Sequence, residues 1–316
     1  MKQAEFTKQK QNQWQLLKEV LTDPELAKDH DLPKMVRQLS HDLAIAKSRL
    51  YSPSLVNYLN QLMLMGHQQL YKPTNRFIAP LWKFIKYDLP QSLSELRLYV
   101  VWAHILFYGV SIIAFAITLI DPDFVRNVIS NAQVVNIEEM YDPLSKHYAK
   151  ERESDSDFLM FGYYIFNNIS IAFQSFVGGI ILGFGALYVL LFNALYLGVI
   201  SGHIVNIDYG STFFSFVITH GAFELTAIVL SAAAGSVIGV NLLVPGRYSR
   251  LDALKVSGKK ALPLVFAAFL MLVIAAFVEA FWSSSQTIPH LVKYGVGSFC
   301  WFWVLMYIFR RVSHEN

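Results

Sequence analysis

The chain has 316 residues, of which 54% are hydrophobic and only 16% charged, against about 25% charged in an average soluble protein. With a mean hydropathy of +0.38, this excludes an ordinary soluble domain and implies an integral membrane protein. The single cysteine, Cys300, excludes an intrachain disulfide and a cysteine metal cluster, and the net charge of +3 is uneven along the chain, as membrane topology requires rather than nucleic-acid binding, so no nucleic-acid partner is expected.

Residues 1–98 read as a cytoplasmic helical domain ending in a membrane-surface elbow. Trp14, Leu17 and Leu21 share one helix face. Val36, Leu39, Leu43 and Leu50 form a second stripe after Leu32-Pro33, and Leu55, Leu59, Leu62 and Leu70 a third after Ser52-Pro53. Three such helices can share a small core or dock a partner. The polar start holds no cleavable signal peptide. Pro73 and Asn75 close the region. From Arg76 to Tyr87, Phe77, Leu81, Trp82 and Ile85 alternate with Arg76, Lys83 and Lys86, a pattern that lies in the headgroup zone against anionic lipid.

The transmembrane domain is expected over 99–316, with spans at about 99–120, 177–200, 213–244, 262–281 and 291–309. Tyr99 and Trp102 stand where aromatic belts occur. Residues 121–157 carry nine acids against Arg126, Lys146, Lys150 and Arg152, whereas residues 1–98 hold fourteen Lys or Arg. The positive-inside rule puts the acidic loop outside and the N-terminus in the cytoplasm. The 245–260 loop has Arg247, Arg250, Lys255, Lys259 and Lys260 against Asp252 alone and is expected inside, as is the C-terminus after Arg310-Arg311.

These assignments conflict. An acidic loop outside and a basic loop inside require an odd number of crossings between them, and the spans 177–200 and 213–244 supply two. Either a segment is re-entrant, with breaks expected at His220-Gly221 or Gly178-Gly179, or 158–176 also crosses. That segment is apolar but holds Asn167, Asn168, Ser170 and Gln174, with Asn167, Ser170 and Gln174 near one face, which favours an interfacial or re-entrant helix. The fold class is therefore all-α, a polytopic helical membrane protein with re-entrant or broken helices. Small-residue spacings at Gly179-x-x-x-Gly183, Ala232-Ala-Ala-Gly235 and Gly235-x-x-x-Gly239 permit close helix contact, within one chain or in a homo-oligomer.

Chemistry is concentrated at His220 and Glu224, four residues apart in an apolar run and hence on one helix face. Ionisable groups at bilayer depth mark functional sites by default; the plainer alternative is a buried pair that fixes helix register. Gly221 is a candidate hinge, Asn193 is expected to hydrogen-bond across helices, and Glu279 is expected at the interface beside Trp282. His203, His220, Glu224 and Glu279 could in principle converge on zinc, which needs about three protein ligands and an open position. His-x-x-x-Glu is not the His-Glu-x-x-His helix of zinc peptidases, so neither metal nor cofactor nor catalytic residue is assigned, and no enzyme activity is expected.

Several stretches resemble the SpoIIM superfamily of stage II sporulation protein M-like membrane proteins. They are Phe6 to Trp14, Tyr51-Ser-Pro-Ser-Leu-Val-Asn-Tyr-Leu-Asn60, Gly66-His67, Asn167-Asn-Ile-Ser-Ile-Ala-Phe173, Asn193 to Gly198 and, most specifically, His220-Gly221-Ala-Phe-Glu224-Leu-Thr-Ala227. The family often has Pro where this chain has Thr226. The resemblance implies a multi-pass protein of the bacterial inner membrane. It further implies a scaffold of a cell-envelope machine, with peptidoglycan-active enzymes, MoxR-type AAA ATPases or von Willebrand factor A-type proteins as partners. The rival reading is an ion- or proton-coupled transporter or channel using His220 and Glu224, and a minor one an intramembrane metal-dependent hydrolase.

Overall fold

A computed structural model describes residues 2–23, 26, 30–70, 78–144 and 154–310, without the side chains of 154–157. The expectations for Pro73, Asn75, Arg76, Phe77, Lys146, Lys150, Glu151, Arg152, Glu153, Asp155, Asp157 and Arg311 lie outside what is described. Among the described residues every regular element is helical. The chain divides into two compact units, Met1–Pro80 and Leu81–Asn316.

The first unit is a three-helix bundle of α1 (Gln3–Thr22), α2 (Leu32–Ser48) and α3 (Pro53–Leu70). Asp31 caps α2, its carboxylate accepting from the Lys34 amide at 3.1 Å, and Pro33 sits in the first turn, where its missing N–H would be unpaired anyway. Phe6, Trp14, Leu17, Val20, Val36, Leu39, Leu43, Leu59 and Leu62 form the core, each stabilising by about 1.5–3 kcal/mol on burial. Leu50 departs from the expected stripe. The helix ends at Ser48, Leu50 turns with φ of 53°, and its side chain is 91% exposed. Buried beside the core, Asp42 accepts from Trp14 Nε1 at 3.0 Å and Gln38 Nε2 at 3.2 Å, with Lys10 Nζ at 3.6 Å.

α4 (Ile78–Lys83) spans the boundary between the units; a π-helical turn (Phe84–Asp88) and α5 (Leu89–Glu95) then lead into α6 (Arg97–Ile120). Ile78, Trp82 and Tyr87 are exposed. After short turns at Pro122–Phe124 and Val125–Val128 comes α7 (Asn131–Tyr141), started by a Ser130/Gln133 capping box. Next are α8 (Ser154–Val177), α9 (Phe184–Asn206), α10 (Gly210–Leu243), α11 (Arg250–Val278) with a π turn at Glu279–Ser283, and α12 (His290–Phe309).

Five of these are long and apolar enough to cross a membrane: Arg97–Ile120, Phe184–Asn206, Gly210–Leu243, Arg250–Ser283 and His290–Phe309. α10 is the central one, more enclosed by its neighbours than any other. Two sequence expectations shift here. The break falls at Gly178–Gly183, a 3-10 turn with Gly183 at φ of 84°, so the span begins at Phe184 and runs on to Asn206. At His220-Gly221 the helix is continuous. Breaking it at depth would strand backbone groups away from water, and Thr226, where the family often has Pro, returns its hydroxyl to the Ala222 carbonyl at 2.7 Å without interrupting the ladder.

Small residues set the helix contacts. Gly179 and Gly183, in the break, lie directly on Gly235 and Gly239 of α10, so these two small-residue pairs meet within one chain. Gly198 and Gly202 of α9 sit against Ser111, Ala114, Phe115 and Thr118 of α6, where Ser111 Oγ donates to the Ala194 carbonyl at 2.9 Å and Asn206 Nδ2 to the Thr118 carbonyl at 2.7 Å. α8 runs the length of the bundle. Phe158 and Phe161 pack on Phe281 near one end, and Ser175 reaches Gly235 towards the other. The buried polar groups of α8 are Asn168 and Ser175; Asn167 and Gln174 are exposed.

Candidate functional site

His220 stands about 15 Å into α10 from Gly210, ten residues at 1.5 Å each. The i, i+4 spacing brings Nε2 to 4.0 Å from Glu224 Oε2, with the His220 side chain 5% and the Glu224 side chain 20% exposed. The π turn ending α11 adds what the sequence did not place there. Glu279 faces the pair rather than the rim beside Trp282, and a ligand atom from each of His220, Glu224 and Glu279 lies within 4.8 Å of the others. π turns recur at functional sites because they re-aim the side chains they carry. Four residues on, Ser283 Oγ lies 3.0 Å from His220 Nδ1.

That contact orients the imidazole. With Nδ1 on Ser283, Nε2 is the nitrogen that faces the Glu224 carboxylate. An imidazole and a carboxylate facing one another across 4.0 Å can hold a cation between them. Asn168, buried on α8, accepts from Asn167 Nδ2 at 3.1 Å, and its own amide nitrogen is buried without a hydrogen-bond partner. Lys293, buried on α12, donates to the Ser283 carbonyl at 2.7 Å, one residue contact behind the histidine.

A cavity of about 370 Å³ opens in front of the three donors. Its walls include Asn167, Asn193, Tyr196 and Gly221, and Ile137, Met140 and Tyr141 of α7 cover one side. Tyr141 packs edge-on against Phe213 and Phe216; burial first, then the nearby Glu279, Tyr164 and Glu224, hold its hydroxyl above the ordinary tyrosine range. Asn193 corrects the expectation of a bond across helices. Its amide donates to the Val189 carbonyl of its own helix at 2.8 Å, though the residue lines the cavity. His203 is separate. It pairs with Glu138 of α7 at 2.7 Å. Tyr141, Ser283 and Lys293 went unread in the sequence, where only the charge of Lys293 in an apolar run marked it.

Apolar helices around a polar, ionisable cavity define a polytopic α-helical membrane protein. Within that class, the chain belongs to the Stage II sporulation protein M (SpoIIM) family, whose model matches residues 80–284 and so includes His220, Glu224 and Glu279. A second family model, Domain of unknown function (DUF8413), matches residues 4–72. The stretches at Phe6 to Trp14, Tyr51 to Asn60 and Gly66-His67 thus fall under that second family rather than the first. No curated protein and no solved structure matches the chain.

Proposed function

We propose that the membrane unit binds a cation between His220, Glu224 and Glu279 and couples it to transport or gating. The observation that carries this is the meeting of an imidazole and two carboxylates in one membrane-embedded cavity, where ionisable groups are costly unless they face a partner or a bound ion. Gly221, Asn167, Asn168 and Asn193 are the polar and small groups that shape the cavity. In proteoliposomes, Glu224→Gln should abolish proton- or cation-driven flux while the protein still purifies folded. A wild type that moves no proton or metal or alkali cation would overturn the reading.

The topology supports the same site. With α8 counted as a crossing beside the five apolar spans, 121–157 lies outside, 245–260 inside, and both termini are cytoplasmic in a bacterial inner membrane. The cavity then sits in the outer half, under α7.

A second reading rests on a separate observation. The first unit has its own core and its own family match, which suits a docking module of an envelope machine. MoxR-type AAA ATPases, von Willebrand factor A-type proteins or peptidoglycan-active enzymes are the partners in that reading. Deleting residues 1–80 should then remove a cross-linked cytoplasmic partner while the membrane unit still folds; retained cross-linking would argue against it.

A further inference from the structure

We propose that the cation is a divalent first-row transition metal, zinc foremost, ligated by His220 Nε2 and one carboxylate oxygen each from Glu224 and Glu279, with a fourth position open to the cavity. This rests on the cavity being the cation site proposed above. Three features separate a metal from a bridging proton.

The first is the number of donors. A proton is shared by two acceptors, whereas here three come within 4.8 Å of one another from two helices. Zinc binds imidazole nitrogen and carboxylate oxygen at about 2.0–2.2 Å, which sets tetrahedral ligand atoms about 3.4 Å apart. Closing from the 4.0 Å between Nε2 and Oε2 needs only small rotations of side chains that already point inward. Two carboxylates repel until a cation draws them together.

The second is the support behind the histidine. Ser283 Oγ at 3.0 Å engages Nδ1, so Nε2 is the nitrogen left to coordinate. Metal-binding histidines are held in this way, and loss of such a supporting partner typically weakens metal binding 10–100-fold. Near Glu224, Asn168 brings a buried amide nitrogen without a hydrogen-bond partner.

The third is charge and hardness. Two ionised carboxylates and a neutral imidazole carry −2, which a divalent ion balances. Magnesium and calcium are hard ions that favour all-oxygen ligand sets, while imidazole selects for zinc and its neighbours. Three protein ligands beside an open space is the pattern of a working zinc site rather than a closed structural one, and here the open side is the 370 Å³ cavity.

The test uses the full chain, purified in detergent, stripped with chelator and titrated calorimetrically with Zn²⁺, with Mg²⁺ as the control ion. Co²⁺ is added in parallel to read coordination from its visible spectrum. One Zn²⁺ per chain is expected. His220→Ala and Glu279→Gln should each weaken it more than 100-fold and remove the Co²⁺ bands, and Ser283→Ala should weaken it 10–100-fold. Each variant is checked by its melting curve, and Gly258→Ala, far from the site, should bind as wild type does. No stoichiometric Zn²⁺, or binding untouched by both His220→Ala and Glu279→Gln, would overturn the metal. If proton or alkali-cation flux still depended on Glu224 in that case, the cation site would stand and the metal alone would fall; loss of both would remove the two together.

Discussion

Gly235 of α10 lies flush against the Ser175 carbonyl of α8. A Cβ added at Gly235 would stand 2.7 Å from that oxygen and 2.9 Å from Ala186 Cβ. Neither obstacle is the flexible end of a side chain, so the helices must part to admit a methyl group. Gly235→Ala should therefore lower stability by about 1–3 kcal/mol, the range for overpacking, read as a fall in melting temperature in detergent. Gly258, in α11, has nothing within 4 Å of an added Cβ; Gly258→Ala should be neutral or stabilise by up to about 1 kcal/mol. Equal effects at the two sites would mean that the glycine seam does not set the α8–α10 distance.

In the first unit, the buried Trp14–Asp42 hydrogen bond offers a second test. Asp42 is 1% exposed and receives Trp14 Nε1 at 3.0 Å, Gln38 Nε2 at 3.2 Å and Lys10 at 3.6 Å. Asp42→Ala leaves the indole N–H buried without an acceptor. The expected loss is about 2–4 kcal/mol, since bonds to charged groups exceed neutral ones and the orphaned donor adds its desolvation. Asp42→Asn keeps an acceptor and should lose less than half as much. Denaturant melts followed by tryptophan fluorescence would rank the two, and an Asn variant as unstable as the Ala variant would contradict the assignment.

The sequence showed the spans because bilayer crossing demands long apolar runs, and it showed the proximity of His220 and Glu224 because helical spacing alone brings residues four apart together. Glu279 was in view but was read as a rim charge. Its place depends on a π turn, which shifts the register by a residue and leaves no compositional mark, and on a partner helix more than fifty residues away. Ser283 and Tyr141 were invisible for the same reason. The break at Gly178-Gly179 could be read because consecutive glycines weaken a helix. At His220-Gly221 the same cue misled, since a lone glycine inside a tightly packed helix is held by its neighbours. Leu50 fitted a helical stripe but lies past the residue where the helix stops.

Tyr141 gives a pH-dependent expectation. Its folded hydroxyl is held above the ordinary value of 10.0 by burial and by neighbouring acids. Above about pH 10 the unfolded chain releases this proton while the folded chain keeps it, so the unfolded state gains relative stability. The contribution is intact below pH 10 and declines as pH rises, by at most about 1.4 kcal/mol per pH unit. Tyr141→Phe keeps the ring contacts at 4.9 Å to Phe213 and 6.0 Å to Phe216 and removes the proton. Melting temperatures between pH 9 and 11.5 should fall more steeply for the wild type; parallel curves would place Tyr141 in water.

We expect α8 to cross, because of where its two ends lie. Phe158 packs on Phe281, at the end of α11 that carries the site, whereas Ser175 reaches Gly235, twenty-five residues along α10 from Gly210. At 1.5 Å per residue the 24 residues of α8 measure about 36 Å, more than the hydrocarbon thickness of about 30 Å. α8 is thus long enough to cross, and Asn168 would be tolerated in it because it is buried in the bundle. In a Cys300→Ala background, Asp142→Cys should react with a membrane-impermeant maleimide added outside intact cells, and Tyr248→Cys should react only after the membrane is opened. Labelling of both from outside would leave two crossings between the loops and return α8 to the membrane surface.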